Sequence, residues 1–135
     1  MKKLLFVVLL LPFLGLSQNK LSIQVNKVNC SSGKVSVAIY NESEGFLKFE
    51  KVFKSNSVKA NKGTTEVIID DLPSGRYAVA VFHDVNGNDE LDTNWMGIPK
   101  EDIAFSNAKM KLFGPPSFKE CSFEVVSDKQ IQLTL

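Results

Sequence analysis

Between residues 84 and 92 the chain reads DVNGNDELD, and the oxygen-bearing side chains of Asp84, Asn86, Asn88, Glu90 and Asp92 fall on every second residue. Carboxylates and amide carbonyls at this spacing, with no Lys or Arg among them, wrap a hard cation in oxygens, and calcium is the ion that such a set suits. Asp84, Asn86, Asn88 and Asp92 occupy positions 1, 3, 5 and 9 of the calcium loops of EF-hand and thrombospondin-type proteins, with the Glu90 carbonyl at position 7. Two positions depart from that pattern. Position 6, where glycine makes the sharp turn, is Asp89, and position 12, where a carboxylate closes the site, is Trp95. The missing ligand is to be sought in Glu101 or Asp102 folding back, or in water. Short Asx-rich turns also satisfy their own backbone without metal, so a self-supporting loop is the competing reading. No helical pattern flanks the loop on both sides, so it is not an EF-hand.

Other chemistry is sparse. His83 is the single histidine, and it lies next to Asp84 at a strand end, where adjacent side chains point to opposite faces. A hydrolase would have to draw on His83 or on the loop carboxylates, with Ser106 or Cys121 as nucleophile. The structural alternative is a histidine that holds the loop by hydrogen bonds. Cys30 and Cys121 are the two cysteines; in an oxidising compartment they are expected to form a disulfide. It would close a loop of about 90 residues and contribute roughly 4–5 kcal/mol. Without a cluster of further Cys or His, zinc is not indicated.

These residues must be positioned by a chain that begins with an address. Lys2 and Lys3, the apolar run Leu4–Leu14 and the small residues Gly15 and Ser17 read as a signal peptide over 1–17, leaving residues 18–135 as one domain. The run is too short for an ordinary membrane span, so the domain is expected in the periplasm or secreted, and not membrane-spanning. The whole sequence has 16 basic and 15 acidic residues, with Arg76 the lone arginine. A near-neutral, arginine-poor chain lacks the electrostatic footprint of a nucleic-acid binder, and a protein or envelope partner is expected instead.

Alternation of apolar and polar residues predicts strands at Leu21–Asn26, Val35–Ile39, Thr64–Ile69, Arg76–His83, Cys121–Val125 and Gln130–Leu135, the last two joined as a hairpin through Ser127–Lys129. The strand Arg76–His83 is apolar on both faces and is read as central, covered on both sides. Between Asn41 and Lys54, Phe46, Leu47, Phe49, Val52 and Phe53 recur closer to period 3.6. A short helix with Asn41 and Glu44 as a capping box is expected there, or, since Gly45 interrupts it, an irregular strand; in either case the aromatics plug one end of the core. Trp95 and Met96 are read as core plugs beneath Gly97-Ile98-Pro99, with a small exposed binding surface as the alternative. The expected fold is all-β: a single antiparallel β-sandwich, immunoglobulin-like or transthyretin-like, with one long loop after the central strand.

The run YAVAVFHDVNGNDELDTNWMGIPKE, followed by FSN at 105–107 and GPPSF at 114–118, resembles a family of small exported bacterial proteins catalogued as a domain of unknown function. The residues that carry the resemblance are Gly75-Arg76-Tyr77-Ala78, His83-Asp84, Asn86, Asn88, Leu91-Asp92 and Gly97-Ile98-Pro99-Lys100-Glu101. Cys121 is a departure, the family more often having a small residue there. The resemblance implies a secreted β-sandwich and no particular activity. The functional expectation is thus a non-enzymatic binding or assembly module with a calcium-organised loop. Its alternatives are a hydrolase using the acidic loop or His83, and a metal-free structural envelope protein.

Overall fold

The computed structural model describes residues 18–135, and the signal-peptide reading of 1–17 lies outside the described residues. Eight strands form two sheets: β1 (Gln18–Val28), β2 (Lys34–Tyr40), β3 (Lys54–Lys59), β4 (Gly63–Pro73), β5 (Gly75–Asp84), β6 (Ile103–Phe105), β7 (Phe123–Val125) and β8 (Lys129–Thr134). One sheet runs β4-β1-β8. The other runs β3-β2-β5-β6, with β7 also pairing β5.

Alternation explains the packing. Leu21, Ile23 and Val25 of β1 and Val67 and Ile69 of β4 point inward from one sheet, and Val35, Val37, Ile39, Val79 and Val81 point inward from the other. The two inner faces make one dry core. Burying an aliphatic side chain of this size contributes about 1.5–3 kcal/mol, which makes this layer the main source of stability.

β5 is central, as its doubly apolar pattern requires. Tyr77, Val79 and Val81 face the main core. On its other face Ala78 packs with Phe105 and Cys121 in a second cluster, against which Phe46, Leu47 and Phe118 also rest. That cluster is roofed by the chain leading into the short helix α1 (Phe118–Cys121). The helix starts on a complete capping box between Ser117 and Glu120.

Five expectations are corrected here. First, the fold is not wholly antiparallel: β8 runs parallel to β1, from Leu21 opposite Lys129 to Asn26 opposite Thr134. Second, β7 and β8 are therefore not a hairpin. β7 pairs with the start of β5, and the chain crosses at Val126–Asp128 to the other sheet, where Asp128 Oδ1 accepts the Lys20 N–H at 2.8 Å. Alternation tells which face is apolar and not which neighbour supplies the ladder, so both pairings fit the same pattern.

Third, the segment 41–54 is not an α-helix. Gly45 and Leu47 both take positive φ, 72° and 70°, which a right-handed helix cannot contain, and only a 3₁₀ turn at Phe49–Lys51 forms. Phe46 does plug the second cluster, edge-on to Tyr40 and Phe118, whereas Phe49 is 86% exposed.

Fourth, Cys30 and Cys121 are free thiols. Cys30 follows β1 at the end of the domain where β2 begins opposite Asp84, while Cys121 packs against Ala78, six residues away along β5. That is about 20 Å of strand, far beyond the reach of a disulfide. Burial pushes the Cys121 thiol up to about 11. In the native protein, alkylation is therefore expected to label Cys30 readily and Cys121 only after unfolding; mass spectrometry before and after denaturant checks both.

Fifth, Trp95 is 91% and Met96 59% exposed, so neither plugs the core. Among the described residues no helix is long and apolar enough to cross a membrane.

Candidate functional site

The acidic loop leaves the end of β5, and its first residue is its anchor. Asp84 is fully buried; its Oδ1 accepts the Asn88 N–H at 3.2 Å and its Oδ2 the Asp89 N–H at 2.8 Å. The chain thus turns back over its own carboxylate. Asn86 Oδ1 also accepts the Asn88 N–H at 3.2 Å, and Asn88 Oδ1 accepts the Glu90 N–H at 3.1 Å; each is an Asx turn stacked on the one before.

Asp92 closes the ring. Asn86 Nδ2 donates to its Oδ2 at 2.7 Å and Asn88 Nδ2 to its Oδ1 at 2.9 Å. Glu101 folds back: its Oε2 accepts the Asp92 N–H at 3.2 Å, and the Lys100 N–H donates to the Asp92 carbonyl at 2.8 Å. Asp102 does not join it; its side chain accepts from Asn29 Nδ2 at 2.5 Å. Asp84, Asn86, Asn88 and Asp92 are therefore gathered in one hydrogen-bonded knot. Glu90 contributes its backbone, and its side chain points to solvent.

Asp89, which stands where calcium loops have glycine, adopts φ 63°. Asp and Asn tolerate the left-handed region better than other side chains, so the conformation that glycine would supply is kept without it. Its carboxylate meets Lys34 Nζ at 2.5 Å. That hydrogen bond is the main reason the Lys34 ammonium is held above its ordinary value, with the Asp89 and Asp84 charges adding to it against some desolvation.

The underside of the loop is set by the turn before β2. Gly33, at φ 70°, lies so close to the end of β5 that a Cβ there would sit 1.9 Å from the Asp84 carbonyl oxygen. Beside it, Nε2 of the buried His83 donates to the Ser32 carbonyl at 2.8 Å, and the His83 N–H donates to the Asp102 carbonyl at 3.0 Å. This tautomer leaves Nδ1 buried and without a partner. The histidine holds the turn, the strand and the end of the loop together.

Of the groups named for a hydrolase, Ser106 and His83 are each hydrogen-bonded to backbone. Ser106 Oγ donates to the Cys121 carbonyl at 2.6 Å and accepts the Val79 N–H at 2.9 Å, so it stitches α1 to β5. It lies beside Val79, four strand residues or about 13 Å from His83. Among the described residues, no three His, Cys, Asp or Glu side chains gather as metal ligands by themselves. Any cation here would rest on amide and backbone oxygens as much as on carboxylates.

Spacing within the loop picked out Asp84, Asn86, Asn88, Glu90 and Asp92; of Glu101 and Asp102, the two residues named as able to fold back, Glu101 does so. Lys34, Gly33 and Ser32 were missed. A Ser-Ser-Gly turn 50 residues upstream carries no mark of what it packs against.

Fold and site together define an all-β domain of two packed sheets that bears an Asx-rich acidic loop on the end of its central strand. The chain belongs to the bacterial family described as "Uncharacterized protein conserved in bacteria (DUF2141)", whose model matches residues 23–134. No curated protein and no solved structure matches it.

Proposed function

We propose that this is an exported, non-enzymatic binding or assembly module of the bacterial envelope, and that its loop takes a calcium ion on Asp84, Asn86, Asn88, the Glu90 carbonyl and Asp92. The observation that carries this reading is the convergence of Asp84, Asn86, Asn88 and Asp92 in one hydrogen-bonded knot, with left-handed Asp89 in the glycine position. Glu101 is the natural sixth donor, replacing the carboxylate that Trp95 cannot provide. All donors are oxygens, which favours a hard cation over zinc or copper. Calcium would cross-link the start and end of the loop and present its rim as a rigid surface.

The scaffold is proposed to be an immunoglobulin-like sandwich rather than a transthyretin-like one. In support, β1 and β4 pair in one sheet and β2 and β5 in the other, the Greek-key core of that fold. Tyr77 at the start of β5 donates its hydroxyl to the Pro73 carbonyl at 2.6 Å, as the tyrosine at the corresponding corner of such sandwiches does.

One observation favours a second reading, the metal-free envelope protein. The Asn86 and Asn88 amides donate to Asp92, so the knot is already closed without a cation. Calcium entry requires both amides to turn their oxygens inward.

Thermal unfolding of residues 18–135 after chelator treatment, followed across a calcium titration, separates the two. Binding to the folded state alone raises stability by RT ln(1 + [Ca]/Kd), about 2.7 kcal/mol at a hundredfold excess over Kd. A saturable rise that magnesium does not reproduce, lost in Asp92→Ala, is the expected result. A midpoint indifferent to calcium at every concentration would leave the self-supporting loop as the correct reading.

A further inference from the structure

Two β-turns between β5 and α1 carry large apolar side chains at both corners. In the first, Trp95 and Met96 lie between Asn94 and Gly97, closed by the Gly97 N–H donating to the Asn94 carbonyl at 3.0 Å. In the second, Leu112 and Phe113 lie between Lys111 and Gly114, closed by the Lys111 N–H on the Gly114 carbonyl at 2.8 Å and by the Gly114 N–H on the Lys111 carbonyl at 3.3 Å. Turn corners ordinarily take Gly, Asn, Asp, Pro or Ser, which supply a positive or pre-set φ or hydrogen-bond the nearby backbone, so paired large apolar residues there are unusual. Leu112 and Phe113 are 91% and 97% exposed, so the domain's own core gains nothing from them.

Charge distinguishes the turns. Trp95 and Met96 sit between Asp92 and Glu101, with Lys100 the one basic residue of that stretch. From Ile103 to Lys119, by contrast, the chain holds Lys109, Lys111 and Lys119 and no acidic residue. All three lysines are exposed, and Lys111 is ion-paired to Glu120, which ties the turn to the first turn of α1. Pro115, Pro116 and the Ser117 cap stiffen the return. A rigid tip with an aliphatic and an aromatic side chain, in a segment that carries Lys109 and Lys119 besides the paired Lys111, matches the chemistry of an anionic lipid surface. The apolar pair enters the acyl boundary while the ammonium groups stay at the headgroups.

We propose that the Leu112–Phe113 turn is a membrane-contact tip that docks this domain reversibly on anionic bilayers. Residues 18–135 carry both sheets and the whole core, and are the form to test. The probes are vesicles of phosphatidylcholine alone and vesicles containing an equal part of phosphatidylglycerol, read by co-sedimentation. Binding is expected to the anionic vesicles and to weaken with salt. Leu112→Ser/Phe113→Ser should lower it about tenfold or more with the thermal midpoint unchanged, since neither side chain is buried. Lys109→Gln/Lys119→Gln should remove the preference for phosphatidylglycerol, and Trp95→Ser/Met96→Ser should leave binding as it is. Failure to sediment with either vesicle overturns the proposal, as does binding that survives loss of Leu112 and Phe113. Concentration-dependent self-association abolished by Leu112→Ser/Phe113→Ser, without vesicle binding, would assign the tip to a protein contact and equally overturn it.

Discussion

Gly33→Ala is expected to cost roughly 3–4 kcal/mol and to loosen the acidic loop together with the start of β2. Two independent penalties combine. At φ 70° an alanine meets the left-handed strain that glycine escapes, worth about 1–2 kcal/mol. Its Cβ would also lie 1.9 Å from the Asp84 carbonyl oxygen and 2.6 Å from that of Val85, both backbone atoms that no side-chain rotation can remove. The turn must lift away, and in lifting it loosens the Ser32 carbonyl from His83 Nε2 and the Gly33 carbonyl from the Ala60 N–H. Urea unfolding measures the loss as a lower midpoint at unchanged slope. Gly87→Ala is the control. Gly87 has a similar φ of 67°, but its added Cβ would meet only the Lys34 Cε at 4.0 Å, so it should show the conformational penalty alone, about 1–2 kcal/mol. Equal effects at both positions would mean that the close approach to β5 is not what Gly33 provides.

Asp84→Ala is expected to cost roughly 3 kcal/mol in chelator, before any metal is considered. The fully buried carboxylate accepts the Asn88 and Asp89 N–H groups, and charge-assisted bonds of this kind are about twice as strong as neutral ones. Alanine leaves both donors without their acceptor at the point where the loop reverses. Asp84→Asn retains one amide oxygen, hence one of the two bonds, and should lose about half as much. Hydrogen exchange gives the local readout: the Asn88 and Asp89 amides should lose protection in Asp84→Ala while the Val79 and Val81 amides keep theirs. If all amides lose protection together, Asp84 is holding the sheet rather than the loop. The calcium response should vanish in the same variant. A retained response would remove position 1 from the proposed site and with it the loop pattern on which that site rests.

Much of this was legible because it is local. Asp84, Asn86, Asn88 and Asp92 lie within nine residues, and their meeting depends on turn geometry that Asx side chains themselves promote. The apolar alternation in β1, β2, β4 and β5 was equally clear, and the doubly apolar β5 announced its central place. β3 was not visible. Its sequence KSNSVK is polar because it is an edge strand with little to bury, and only pairing with β2 makes it a strand. β6, three residues inside a long connection, is likewise defined by β5 rather than by its own pattern.

Trp95 and Met96 show the opposite error. Their bulk suggested burial, but the Asn94 side chain accepts the Met96 and Ile98 N–H groups at 2.9 and 3.0 Å and locks a turn that turns them outward. Side-chain hydrophobicity records a transfer preference; a hydrogen-bonded turn decides direction, and here direction prevailed.

By itself, then, the amino-acid sequence determined an all-β chain with a central strand and an Asx-rich acidic loop, because each follows from periodicity or from contacts a few residues apart. Tertiary structure alone decided that β8 lies parallel to β1, that Cys30 and Cys121 stay apart, and that Gly33, Ser32 and Lys34 form the floor and flank of the loop. Those outcomes depend on which surfaces meet across some 50 residues or more of chain, and an alternating pattern fits several such meetings equally well until the whole core closes around one.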